Sequence, residues 1–140
     1  MASSAGATDP VLANAEIKWA VLKAFNALIE HIANGRLKET MACFTEDADV
    51  ALFGSELSDT SLGAEAIREH MTEIYARPYR VLFDLHAGKV SAHGHVAWLT
   101  AEGTLRLSTD DERRPYRLTA IMERRGDHWL WQRFEGSEPR

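Results

Sequence analysis

Residues Tyr116–Pro139 read YRLTAIMERRGDHWLWQRFEGSEP. Two apolar-rich runs flank Gly126-Asp127, the pattern of two strands joined by a tight turn. The second run sets Trp129, Trp131, Arg133 and Glu135 at alternate positions, and alternate residues of a strand share a face. On that face two indoles are followed by an arginine and a carboxylate, which need a partner or water wherever they are desolvated. The face is either a pocket wall or the rim of a core. Hairpin register bears on the choice. A loop of two residues puts Trp131 opposite Met122. A loop of three puts it opposite Glu123 and brings Arg117 and Thr119 to the same face, because a slip of one residue turns every side chain over. The apolar content of Leu118, Ala120 and Met122 favours the shorter loop.

Upstream of the hairpin, Val96–Leu107 is expected as a long strand. Trp98, Thr100 and Glu102 share one face of it; Ala97, Leu99, Ala101 and Gly103 share the other. Tyr79–Ser91 is a further strand, bent near Ala87-Gly88. Before Pro78 the periods are helical. Asp9-Pro10 reads as a helix start. Leu12, Ala15, Trp19, Leu22, Phe25, Ile29 and Ile32 then recur at steps of three and four, up to a stop at Asn34-Gly35. A short helix with Leu37, Met41 and Phe44 on one side comes next, then a strand at Val50–Phe53 and a loop from Gly54 to Gly63. A third helix over Ala64–Ala76 turns Ile67, Met71 and Ile74 inward. Helices segregated before strands indicate an α+β domain. Residues 1–8 are expected as a disordered tail, and residues 9–140 as a single domain.

The chain has 140 residues and a formal net charge of -5. That length suits one core, and the acidic balance argues against a nucleic acid or an anionic membrane as partner. Cys43 is the only cysteine, so no disulfide forms within the chain, which fits a reducing compartment. The opening residues lack the apolar stretch of a signal peptide. Charges at Glu16, Lys18, Lys23 and Glu30 prevent the segment Val11–Ile32 from being a plain membrane span. A cytoplasmic, soluble protein is expected.

Several local signatures occur in order: Ala33-Asn34-Gly35-Arg36-Leu37, Phe44-Thr45-Glu46-Asp47-Ala48, Gly63-Ala64-Glu65-Ala66-Ile67, Ala97-Trp98, and Trp129-Leu130-Trp131 leading to Ser137 and Pro139. Together the chain resembles the nuclear-transport-factor-2-like superfamily, in its SnoaL-like branch, over about residues 10–139. The resemblance implies a cone: a long N-terminal helix and two shorter ones against a curved antiparallel sheet, with a pocket at the open end. It also implies a homodimer formed through the outer sheet face. It does not imply one function, since the family holds isomerases, cyclases, dehydratases, epoxide hydrolases and domains without chemistry. The proton-handling positions of the ketosteroid isomerase branch align near Leu28, Leu52 and Ala120, none of which can carry a proton, so steroid isomerase activity of that type is not expected. Where many members carry a histidine late in the last strand, this chain has Glu135. The family pattern favours the longer hairpin loop, against the apolar content noted above.

These readings nominate Glu102 and Glu135 as proton-transfer residues. Arg133 and Arg117 would stabilise a developing oxyanion, and Phe53, Trp98 and Trp131 would shape an apolar pocket. The competing reading makes Arg133 and Glu135 an ion pair, and leaves Thr100 and Glu102 in water or in a dimer interface. The six histidines do not fall at metal-ligand spacing; His93-x-His95 surrounds a glycine turn. His86, in a strand, is a candidate proton carrier. Cys43 has no basic neighbour to activate it, and Phe53-Gly54-Ser55 lacks the flanks of a nucleophile elbow. No glycine-rich loop supports a nucleotide, and no cofactor is expected. Two functions remain open. One is a cofactor-independent acid–base enzyme (isomerase, cyclase or hydratase type) acting on a small hydrophobic compound. The other is a non-catalytic ligand-binding or dimerisation domain.

Overall fold

The computed structural model describes residues 11–55 and 59–139. The expected disordered tail and the Asp9-Pro10 helix start lie outside these residues. Helix α1 spans Ala15–Asn34, α2 Leu37–Ala42 and α3 Ala64–Tyr75. The strands are β1 (Val11–Leu12), β2 (Ala51–Phe53), β3 (Thr60–Leu62), β4 (Val81–Ala87), β5 (Ser91–His93), β6 (Val96–Leu107), β7 (Arg114–Arg125) and β8 (His128–Ser137). They form one sheet in the order β1-β5-β6-β7-β8-β2-β3, with β4 paired to β6 beside β5. The α+β expectation holds. The sheet is mixed rather than wholly antiparallel, because β2 runs parallel to β8.

Helix α1 begins later than Pro10. The Asn14 side chain accepts a hydrogen bond from the Ile17 N–H at 2.9 Å, satisfying one of the free donors of the first turn. Val11 and Leu12, expected in the helix, pair instead with Ala92 and Ser91 of β5. The buried stripe of α1 is Val21, Phe25, Leu28 and Ile32. Trp19, expected on that stripe, is 70% exposed: Phe25 and Ile32 belong to two overlapping apolar stripes, and the one through Val21 and Leu28 faces the sheet. Gly35 ends the helix at φ 64°, a left-handed conformation that disfavours side chains with a Cβ. The Arg80 side chain lies against it, and donates to the Tyr75 and Tyr79 carbonyls at 3.3 and 3.2 Å. One guanidinium thus joins the C-terminal ends of α1 and α3.

The strand expected over Tyr79–Ser91 is two strands, β4 and β5, both on β6; the break falls at Gly88, beside the expected bend. The loop expected after Gly54 contains β3, antiparallel to β2. In the closing hairpin Arg125 pairs with His128 and Met122 with Trp131, the register of the shorter loop. Beyond that pair the register shifts, so that Ile121 faces Arg133 and Gln132 is an extra residue, a β-bulge. Gln132 is buried and bonded on both sides: the Thr45 hydroxyl donates to its Oε1 at 2.8 Å, and its Nε2 donates to Asp49 Oδ1 at 2.8 Å. These bonds give the bulged amide the partners a buried polar group requires.

The bulge corrects the reading of the hairpin. Trp129 and Trp131 point inward, but so do Phe134 and Gly136, while Arg133 and Glu135 turn outward beside Ile121 and Thr119. The four residues expected on one face are divided between two. Trp131 is fully buried. Its ring is 5.4 Å from Phe25 and 5.5 Å from Phe134, and its indole N–H donates to the Ala24 carbonyl at 3.3 Å.

Candidate functional site

The inner faces of β4, β6, β7 and β8 and the inner sides of α1 and α3 enclose a cavity of about 360 Å³. Its walls are mostly apolar, among them Leu52, Met71, Ile74, Phe83, Leu105 and Phe134. The inward stripe of β7 runs from Met122 through Ala120, Leu118 and Tyr116 to Arg114, and only its last two members bring polar atoms to the cavity. Asp59, His70 and Glu138 join them.

A floor without side chains holds this corner. Phe53 of β2 pairs with Glu135 of β8, so the next residues, Gly54 and Gly136, lie side by side. A Cβ on Gly136 would run into the Tyr116 hydroxyl, with the ring Cζ only 2.6 Å away. A Cβ on Gly54 would stand 2.5 Å from Asp59 Cβ and 3.1 Å from its Oδ2. Tyr116 and Asp59 therefore each lie over a glycine, on adjoining strands. Burial raises the Tyr116 pKa above the ordinary phenol value; the negative charges of Glu138 and then Asp59 add to the rise. The phenol is held as a protonated donor at neutral pH. Arg114 Nε lies 3.9 Å from Glu138 Oε1, too far for a hydrogen bond, and is buried with no hydrogen-bond partner among the described residues.

The residues nominated from sequence do not meet at this cavity. Glu102 pairs with Arg117 across β6 and β7 at 3.4 Å, with the two side chains 68% and 50% exposed. Trp98 lies opposite Ile121, and the hydroxyls of Thr100 and Thr119 are 3.3 Å apart. All project from the outer sheet face, because the inner face of β6 is taken by Ala97, Leu99 and Ala101. Arg133 and Glu135 join that outer surface as an ion pair of 3.7 Å, and the Arg133 guanidinium sits 5.6 Å from the Phe53 ring centroid. Trp131 belongs to the core. His86, opposite Glu102 on β4, is exposed. Cys43 has its pKa pushed up to about 11 by burial, the opposite of thiolate activation. Among the described residues no three His, Cys, Asp or Glu side chains gather as a metal site, and no helix is long and apolar enough to cross a membrane.

Sequence reasoning missed Asp59, Arg114, Tyr116 and Glu138. A usable signal was present. Phe134 follows Trp131 by three positions rather than two, which marks the bulge and turns Gly136 and Glu138 inward.

This cone, with its polar corner at one end of an apolar cavity, is that of a family: a SnoaL-like domain matches residues 21–139, and the chain belongs to that family. Its fold is shared by an NTF2-like protein of unknown function from Pseudomonas putida (TM-score 0.78, 16% identity, 92% of this chain and 90% of that one). An NTF2-like protein from Streptomyces avermitilis, provisionally named a dehydratase, is also similar (TM-score 0.77, 17% identity, 86% and 94%). So is a ketosteroid isomerase-like protein from Erwinia carotovora atroseptica (TM-score 0.69, 17% identity, 91% and 99%). At these identities the likeness is one of fold. No curated protein matches the chain. The isomerase-aligned positions Leu28, Leu52 and Ala120 are buried and apolar.

Proposed function

We propose that this SnoaL-like chain binds a small, largely apolar molecule in the cavity, and that the corner formed by Asp59, Arg114, Tyr116 and Glu138 handles its one polar group. The observation that carries the reading is the buried, unpartnered Nε of Arg114 on the cavity wall. A buried donor without an acceptor costs about 1–3 kcal/mol, and a ligand oxygen would offset that cost. Acid–base chemistry is the reaction type this corner supports. Asp59 can take a proton, while the protonated Tyr116 and Arg114 stabilise an oxygen that gains charge. Isomerisation, cyclisation and hydration or dehydration all use such a set. Asp59 and Tyr116 replace Glu102 and Glu135 in these roles, since the latter two project from the opposite face of the sheet. A thermal-shift screen of small apolar ketones, esters and alcohols tests the reading on the wild type and on Tyr116→Phe. At least one compound should stabilise the wild type and lose most of its effect on the variant; equal shifts in both, or none in either, reject the site. Hits recovered chemically unchanged after long incubation leave a binding protein without catalysis.

The outer face supports a second reading, a homodimer. Trp98 and Ile121 are partly exposed there, between the Glu102–Arg117 and Arg133–Glu135 pairs. A surface carrying both charges around an apolar centre can meet a copy of itself about a twofold axis. Sedimentation of the wild type and of Ile121→Arg decides it: a dimer that the substitution turns into a monomer is expected, and a wild-type monomer rejects it.

A further inference from the structure

We infer that the group recognised in the polar corner is a neutral hydroxyl, so that the ligand is a mostly apolar alcohol. The inference rests on the cavity reading above and narrows it. The corner's open valences can be counted. Arg114 Nε is one buried donor without a partner. The Tyr116 hydroxyl is a second: its environment is burial and the charges of Glu138 and Asp59, with no hydrogen bond to another side chain. Of the carboxylates, Glu138 has Arg114 as its cation at 3.9 Å. Asp59 takes part in none of the ion pairs among the described residues. The corner thus presents two donors and one uncommitted acceptor around one point.

A hydroxyl has the matching set, two lone pairs and one O–H. It accepts from Arg114 and Tyr116 and donates to Asp59. The other common head groups fit worse. A ketone oxygen satisfies both donors but sets a lone pair against the Asp59 carboxylate. A carboxylate brings a negative charge beside Asp59 and Glu138. An ammonium satisfies Asp59 but faces the Arg114 guanidinium and offers nothing to either donor. In a desolvated corner each mismatch leaves a buried polar group unpaired. The glycine floor strengthens the argument: with Gly54 and Gly136 beneath them, Asp59 and Tyr116 lie flat against the strands, leaving the room above for the ligand oxygen.

Matched compounds on cyclohexyl, phenyl and naphthyl bodies test this by calorimetric titration. On each body the head group is a secondary alcohol, a methyl ketone, a carboxylate or a primary amine. The alcohol should bind the wild type about tenfold or more tightly than its partners on the body that fits best. Asp59→Ala should lower the alcohol's affinity and not the ketone's, a selective change that loosening of the loop alone does not produce. Tyr116→Phe, which keeps the ring, should weaken both. A ketone, carboxylate or amine that binds more tightly than the alcohol, or affinities indifferent to the head group, overturns the alcohol and leaves the cavity standing. If no compound binds, or if Tyr116→Phe changes nothing, the cavity reading falls with it.

Discussion

The Tyr116 hydroxyl occupies the space that a side chain on Gly136 would fill. The pair acts as one unit, since the phenol reaches across from β7 because β8 is bare at that point. Gly136→Ala should destabilise the fold by about 1–3 kcal/mol, the usual cost of overpacking. The penalty should shrink in a Tyr116→Ala background, where the obstructing ring is absent. Urea unfolding of the two single variants and the double variant measures the coupling; simple additivity would separate the residues.

Alkaline stability should depend on the same phenol. Burial raises the Tyr116 pKa, with Glu138 and Asp59 adding to it. The unfolded chain therefore releases this proton at lower pH than the folded one. Stability from Tyr116 is complete below the ordinary phenol value and is lost as pH rises through that value toward the folded one. Tyr75, raised first by burial, and Cys43, pushed up to about 11, act in the same direction. Absorbance titration of the folded protein should show a tyrosine that ionises late, and Tyr116→Phe should remove that step.

The bulged Gln132 links Thr45 to Asp49. Gln132→Leu leaves the buried Thr45 hydroxyl without its acceptor and should cost about 1–3 kcal/mol. Adding Thr45→Val should recover much of that loss, since removing both partners is cheaper than stranding one. Thermal unfolding of the four proteins provides the comparison.

Substitutions on the outer face should spare the cavity. Glu102→Gln and Glu135→Gln are expected to change the affinity of any cavity ligand by no more than about twofold, as surface changes away from a site usually do. A larger loss in either, measured by titration with a compound that Tyr116→Phe rejects, would tie the outer carboxylates to the site.

The architecture was largely legible because its signals are periodic. The apolar steps of α1 and α3, the run Leu118-Ala120-Met122 and the turn at Gly126-Asp127 each specify an element with little help from the rest. The site was not. Alternation was carried unbroken through Gln132, which looks like an ordinary outward polar residue, and the error placed Arg133 and Glu135 beside Trp131. Asp59 lies just before a strand too short to read, and Glu138 just after the end of β8. These residues meet only through the parallel pairing of β2 with β8, a contact between distant segments that no local pattern announces.

That parallel pairing also orders the birth of the molecule. On a ribosome β2 emerges long before β8, and nothing made in between can replace β8 as its neighbour. Trp131 bonds through its backbone to Cys43 and Thr45 as well, so the segment around α2 waits for the same strand. Contacts of such long sequence separation form slowly. The nascent chain must keep the apolar faces of α1 and β2 out of trouble until the final strand arrives, and the polar corner closes in that last step.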